Sequence, residues 1–211
     1  MALPKLRGID ISNWEPDVNL KKLHIDFAIF KATEGLTFKD PTLAGYAKQA
    51  QKIGLLWGCY HFARNNDPTK EANYFYRVCK EYVGKCIFVL DIEDTKIKNP
   101  AKFCKVFCDR FFSLSGVRPL IYTYAAYRSH FKGYDSIYKN YDLWLAGYPY
   151  TYTSWTNDKC PYTPGKWDYI AIWQFTDNGK LTGCPYLLDL NIAYMTKQAW
   201  KAYARPVKPK K

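Results

Sequence analysis

Three stretches of the chain place apolar residues on one helical face. They are Leu43, Tyr46, Ala47, Ala50 and Ile53; Ala72, Phe75, Tyr76, Cys79 and Val83; and Phe103, Val106, Phe107, Phe111 and Leu114. Each is announced by a capping residue and a proline: Asp40-Pro41, Asp67-Pro68 and Asn99-Pro100. The polar side chain accepts a free N–H of the first turn, and proline is pre-set for the first helical position. Each ends near a glycine (Gly54, Gly84, Gly116), where a helix C-terminus favours a left-handed residue. Apolar runs rich in β-formers follow each helix, at residues 55–62, 86–90 and 117–124. Shorter runs of the same kind lie at 8–11, 27–30, 143–146, 170–174 and 187–190.

Helix and strand in alternation predict right-handed parallel βα units. Eight candidate strands give about 26 residues per unit, near the lower limit for an eightfold barrel. Beyond residue 125 the connections are rich in Tyr, Trp, Pro and Gly and lack long helical periodicity. The predicted fold is therefore α/β: an abbreviated (β/α) TIM-like barrel with up to eight mostly parallel strands and reduced helices in the C-terminal half. One domain is expected over 1–204, followed at 205–211 by a basic Pro/Lys tail or the start of a linker. An open doubly wound sheet is the alternative fold, but no Gly-x-Gly-x-x-Gly fingerprint supports a nucleotide site on it.

Composition narrows the chemistry. Aromatic residues make up 18% of the chain, a high share; most fill the core and its rim, and such rings also serve as platforms for sugars. The net charge of +12 comes from Lys and Arg scattered along the chain, so an anionic polymer is the expected partner class. No nucleic-acid-binding signature accompanies that charge. Seven cysteines cannot all pair within a monomer, and none forms a C-x-x-C or metal-like cluster. Cys104 and Cys108 sit at core spacing, and a Cys160–Cys184 bridge is the less favoured reading of those two. The first seven residues lack the apolar stretch of a signal peptide, and no segment has the length of a membrane span.

The most informative run is residues 87–93, a buried-strand pattern that ends in Asp91-Ile92-Glu93. Alternation along a strand puts both carboxylates on one face, with Cβ atoms roughly 6–7 Å apart. At that spacing one charge disfavours the other and leaves one acid protonated near neutrality. Glycosidic cleavage needs that combination: one group donates a proton while another stabilises positive charge. In a parallel barrel, reactive groups come from the C-terminal ends of different strands. Asp10, Glu34, Asp91, Glu93 and Asp189 all fall near such ends, and closure would bring Asp10 beside Asp189. Tyr60, Phe62, Tyr122, Tyr124, Trp144, Trp173 and Gln174 lie near strand ends as candidate sugar contacts. His61 alternates with Tyr60 and Phe62, so it faces away from what they line, and a metal role is disfavoured.

Six segments in order carry a family resemblance: Gly8-Ile-Asp-Ile-Ser-Asn-Trp14, Lys31-Ala-Thr-Glu-Gly35, Gly58-Cys-Tyr-His-Phe62, Leu90-Asp-Ile-Glu93, Trp173-Gln-Phe-Thr176 and Asp189-Leu-Asn191. Over residues 8 to 195 the chain resembles the lysozymes (muramidases) of glycoside hydrolase family 25, bacteriophage endolysins included. The resemblance implies hydrolysis of the β-1,4 bond between N-acetylmuramic acid and N-acetylglucosamine in peptidoglycan, without metal or organic cofactor. It implies Glu93 as general acid, Asp91 as its companion, and Asp10 and Asp189 as flanking acids. Glu34 matches the family's K-A-T-E-G glutamate; a structural pairing with a nearby base is the favoured reading, and a substrate contact the other. Glu15 departs from the glutamine many members carry after the tryptophan. The family also suggests retention of configuration with help from the substrate's 2-acetamido group.

Bacterial peptidoglycan is the implied partner, with neither nucleic acid nor membrane insertion. A wall-binding module beyond the C-terminus is left open. The implied location is phage-type: made in the host cytoplasm and acting on the wall after release, or secreted by another route. A chitinase-like N-acetylhexosaminidase is the nearest alternative, but it would carry a further Asp where Val89 stands. A non-catalytic cell-wall sugar-binding module would have no need of a raised-pKa acid.

Overall fold

A computed structural model describes residues 5–207. Nine strands form one sheet: β1 (Leu6–Ile11), β2 (Phe27–Glu34), β3 (Phe38–Lys39), β4 (Leu56–Phe62), β5 (Ile87–Asp91), β6 (Leu120–Tyr124), β7 (Leu143–Ala146), β8 (Ile170–Gly179) and β9 (Leu188–Ala193). The order β1-β9-β8-β7-β6-β5-β4-β2 closes on itself through the β1–β2 pairing, and β3 adds to the outer end of β2. The result is the expected eight-stranded barrel. Its helices are α1 (Leu43–Ile53), α2 (Pro68–Cys79), α3 (Pro100–Ser115), α4 (Ser136–Asn140) and α5 (Lys197–Tyr203).

Two of the three capping signals act as expected. Asp67 accepts from Lys70 N and Asn99 from Lys102 N, with Pro68 and Pro100 opening α2 and α3. The third differs. Asp40 is buried and accepts from Asn13 N, Thr42 N and the Thr42 hydroxyl, so it ties β1's loop to α1, which begins only at Leu43.

The barrel is mostly parallel, as expected, and the last strand is the exception. β9 runs antiparallel to both β1 and β8. Residues 180–187 link β8 to β9, too few for the crossover of a dozen or more that a parallel return needs, so the chain turns back as a hairpin. Asp189 consequently stands at the start of its strand rather than the end, yet still at the mouth.

Alternation divides the core in two. Leu6, Phe27, Ile29, Ile87, Val89, Leu120, Trp144 and Ile172 fill the barrel, and Trp200 of α5 plugs its floor against Phe27 at 4.5 Å between ring centroids. The outward residues pack under the helices, where Phe75, Phe88, Phe107 and Phe111 form one aromatic cluster. Among the described residues no helix of length covers β7 and β8. The long connection 147–169 does so instead, anchored by Trp167 Nε1 on Tyr141 O (2.9 Å) and by the stacking of Arg7 on Trp155. All seven thiols are free, Cys160 and Cys184 included, and Cys104 and Cys108 are buried in α3's inner face. Of the basic tail, 208–211 lie outside the described residues. Residues 205–207 pack on the fold, with Val207 N donating to Gly116 O.

The barrel floor has no spare room. A Cβ on Gly8 would lie 2.4 Å from the Phe27 ring. Gly8→Ala is expected to cost about 1–3 kcal/mol through overpacking, lowering the thermal midpoint in calorimetry. An unchanged midpoint would show that Phe27 has room to move.

Candidate active site

The mouth is built by interior positions at the tops of the strands. A cavity of ≈ 410 Å³ is lined by Asp10, Asp91, Glu93, Asp189, Tyr60 and Tyr122, among others. Asp10 and Asp189 are directly opposed in the β1–β9 register and therefore share a face. Two amides hold Asp10: Gln174 Nε2 donates to both its oxygens (3.2 and 3.0 Å), and Asn191 Nδ2 donates at 2.6 Å. Each amide oxygen is occupied from the other side. Tyr122 and Tyr148 hydroxyls donate to Gln174 Oε1 (2.9 and 2.6 Å), and Trp144 Nε1 donates to Asn191 Oδ1 (2.8 Å). With their oxygens engaged, the NH₂ groups are directed at Asp10.

Burial dominates the electrostatics. It pushes Asp10 up to about 6 despite the donors from Gln174 and Asn191. Asp189 is raised well above the carboxylate range by burial and then by the Asp10 charge, with which it shares a hydrogen bond. Asp91 is raised well above its range by burial, then by Glu93 and Asp10. Its Oδ1 is buried and has no hydrogen-bond partner. Glu93 lies two residues past the end of β5, half-buried, and is raised by burial, while Arg64 and Lys31 oppose the rise. The sequence spacing attributes protonation to mutual repulsion of the pair; the structure puts desolvation first for both members.

The cations come from an irregularity. A bulge in β2 between Lys31 and Thr33 shifts the register, so that Lys31 and Glu34 reach the same side and pair at 2.6 Å. Arg64 pairs with Glu34 from the other side at 2.7 Å. Glu34 does not line the cleft. Against the burial that would raise it, bonds from Lys31 and Arg64 hold it below the ordinary range.

The predicted contacts separate cleanly. Tyr60, Phe62, Tyr122, Trp144 and Gln174 line the mouth, and Tyr124 lines the adjoining cavity beyond Glu93. Trp173 does not reach either. It falls between the inward residues Ile172 and Gln174, so it points outward, fully buried against Phe175, with Nε1 on Gly147 O. His61 also faces outward, between Thr33 (2.7 Å) and Glu71 (2.8 Å). Several lining residues escape the sequence reading. Trp14, 78% exposed at the rim, lies inside a recognised segment, as does Asn191, which is buried behind the lining against Asp10; Tyr148 comes from an irregular connection and Asp177 from the end of β8, past the predicted run. Glu15 lines the cleft too, bonded to Ser12 and raised by burial.

A closed barrel whose mouth gathers buried carboxylates among aromatic rings is the architecture of a glycoside hydrolase. The family model for glycosyl hydrolases family 25 matches residues 9–184, and the chain belongs to that family. It is 29% identical over 192 residues to an autolytic lysozyme of Clostridium acetobutylicum, covering 88% of this chain and 55% of that protein. It is 28% identical over 215 residues to an N,O-diacetylmuramidase of Chalaropsis, covering 92% and 99%. The structure of a lysozyme from Streptomyces coelicolor superposes with a TM-score of 0.82 at 22% identity, over 94% of this chain and 96% of that one, and so shares the fold. Asp189 lies beyond the matched residues, and the β1–β9 register is what brings it to the site.

An acid raised on folding makes the folded state the better proton binder, so its cost grows as pH rises from the unfolded pKa through the folded one. Asp91→Asn is therefore expected to raise the thermal midpoint at pH 7, by about 2–4 °C per kcal/mol relieved. The gain should fade as pH falls towards the ordinary value of 3.8 and vanish below it, where Asp91 is protonated in both states. Melting curves across pH test this; a variant no more stable than wild type at pH 7 would mean Asp91 is not desolvated.

Proposed function

We propose that the protein is a muramidase, hydrolysing the β-1,4 bond between N-acetylmuramic acid and N-acetylglucosamine in peptidoglycan. The carrying observation is the buried, unpartnered Oδ1 of Asp91 two residues before a raised, half-exposed Glu93. A buried acceptor left unmade is costly, and an incoming amide N–H would satisfy it. The substrate's 2-acetamido group carries such an N–H beside the carbonyl that attacks C1.

Glu93 gives its proton to the glycosidic oxygen as the C1–O bond breaks and the acetamido oxygen bonds to C1. Asp91 accepts the acetamido N–H and faces the positive charge that develops. Water then attacks C1, loses its proton to Glu93 and reopens the ring with retained configuration. Asp10 and Asp189, sharing a proton, shape the floor. The charge of +12 favours adsorption to an anionic wall.

Mass analysis of muropeptides released from purified walls tests the reading. New reducing ends should be N-acetylmuramic acid, and reducing-end N-acetylglucosamine would sink it. Glu93→Gln should lose at least about 10²-fold in lytic rate at an unchanged thermal midpoint. Near-normal turnover would move the acid role to another group.

A further inference from the structure

A second cavity, ≈ 750 Å³, meets the first at Glu93, Tyr122 and Tyr148, which line both. On the proposed reading, the acid marks the scissile bond. The carboxylate-lined cavity then holds the sugar whose C1 is attacked, and the cavity beyond Glu93 holds the leaving side. Its size is within the range of a ligand-sized cleft. Its walls are tyrosines (Tyr122, Tyr124, Tyr148, Tyr162) and its other lining residues small, with one cation, Arg128.

Arg128 is fixed in place and lacks an anion. Its Nη1 donates to Thr163 O, and its Nε lies where a Cβ on Gly165 would come within 3.1 Å, so glycine there admits the guanidinium against the backbone. Among the described residues no carboxylate forms an ion pair with it. A guanidinium has five donors and presents a rigid fork to a carboxylate. Half-buried without a partner it is a cost to the fold, and burial holds its pKa below the ordinary value.

We propose that Arg128 is a specificity-determining residue of the leaving-group side, binding a carboxylate carried by the second sugar past the cut. This rests on the muramidase reading, in which that sugar is a muramoyl residue. Its carboxylate is either the free lactyl acid of a denuded strand or an acid of the attached peptide.

Three tetrasaccharides test it, each N-acetylglucosamine–N-acetylmuramic acid–N-acetylglucosamine followed by a different terminal sugar. The terminal sugar is N-acetylglucosamine, N-acetylmuramic acid with a free lactyl group, or the latter carrying L-alanyl-D-glutamate. Wild type should cleave the central bond of at least one acid-bearing substrate with kcat/KM about tenfold above the neutral one, mostly through KM. Whichever acid-bearing substrate is preferred identifies the source of the carboxylate. Arg128→Gln should erase the preference while leaving the neutral substrate within about twofold, and Arg128→Lys should restore part of it. No preference in wild type, or equal slowing of all three by Arg128→Gln, overturns the proposal, the second outcome meaning a structural role. Cleavage without preference leaves the muramidase reading standing; no cleavage at the central bond removes that reading. Calorimetric binding of the corresponding terminal disaccharides decides the cavity independently. The acid-bearing disaccharide should bind wild type more tightly than Arg128→Gln, and equal binding to the two proteins rejects the assignment.

Discussion

The antiparallel seam between β1 and β9 sets Asp10 opposite Asp189, and the mouth is arranged around that pair. Two carboxyls facing each other on adjacent strands cannot both ionise cheaply, so burial keeps a proton between them. Because β9 descends from the mouth, Asn191, two residues into it from Asp189, returns to the same interior face one layer deeper. There it donates to Asp10 while accepting from Trp144. β8 contributes Gln174 by the same alternation. Had the last strand run parallel, residues 189 and 191 would have exchanged levels, and the amide would no longer lie beneath the acid.

Such a mouth is a burden on the fold. Asp10, Asp91, Glu93 and Asp189 are all raised by desolvation, so each disfavours the folded state at neutral pH. The offset comes from parts of the molecule that never meet substrate. Trp200 seals the floor, and the phenylalanines of α2, α3 and β5 pack face and edge under the helices. The α5 plug and the carboxylate mouth occupy opposite ends of one interior, which separates the source of stability from the place where it is spent.

Periodicity made the first half of the chain legible: α2 and α3 carry caps, proline and an apolar face that agree with one another. Direction was not legible for β9, since a short alternating run reads the same both ways. The length of the link at 180–187 was the available clue. The four acids were legible because each sits at a strand end within a recognisable segment. Trp173 was misplaced because a strand apolar on both faces hides which side is inward. Tyr148, Arg128 and the rest of the lining from irregular connections carry no period at all, so only the closed fold assembles them.

His61 shows how a residue outside the cleft governs it. Burial holds its pKa below the usual value, so the neutral ring donates from Nε2 to Glu71 and accepts the Thr33 hydroxyl at Nδ1. Thr33 is the residue just past the bulge that turns Lys31 and Glu34 to one side. Glu71 also accepts from Arg64 N and from Asn66, which fixes the loop presenting the Arg64 side chain to Glu34. One buried imidazole thus ties the strand that supplies one cation to the loop that supplies the other. Those two cations oppose the rise of Asp91 and Glu93, and Glu34 keeps them in place without entering the cleft. The glutamate of the Lys31–Gly35 segment is in this sense an electrostatic strut: it acts on Asp91 and Glu93 through the bases it pins.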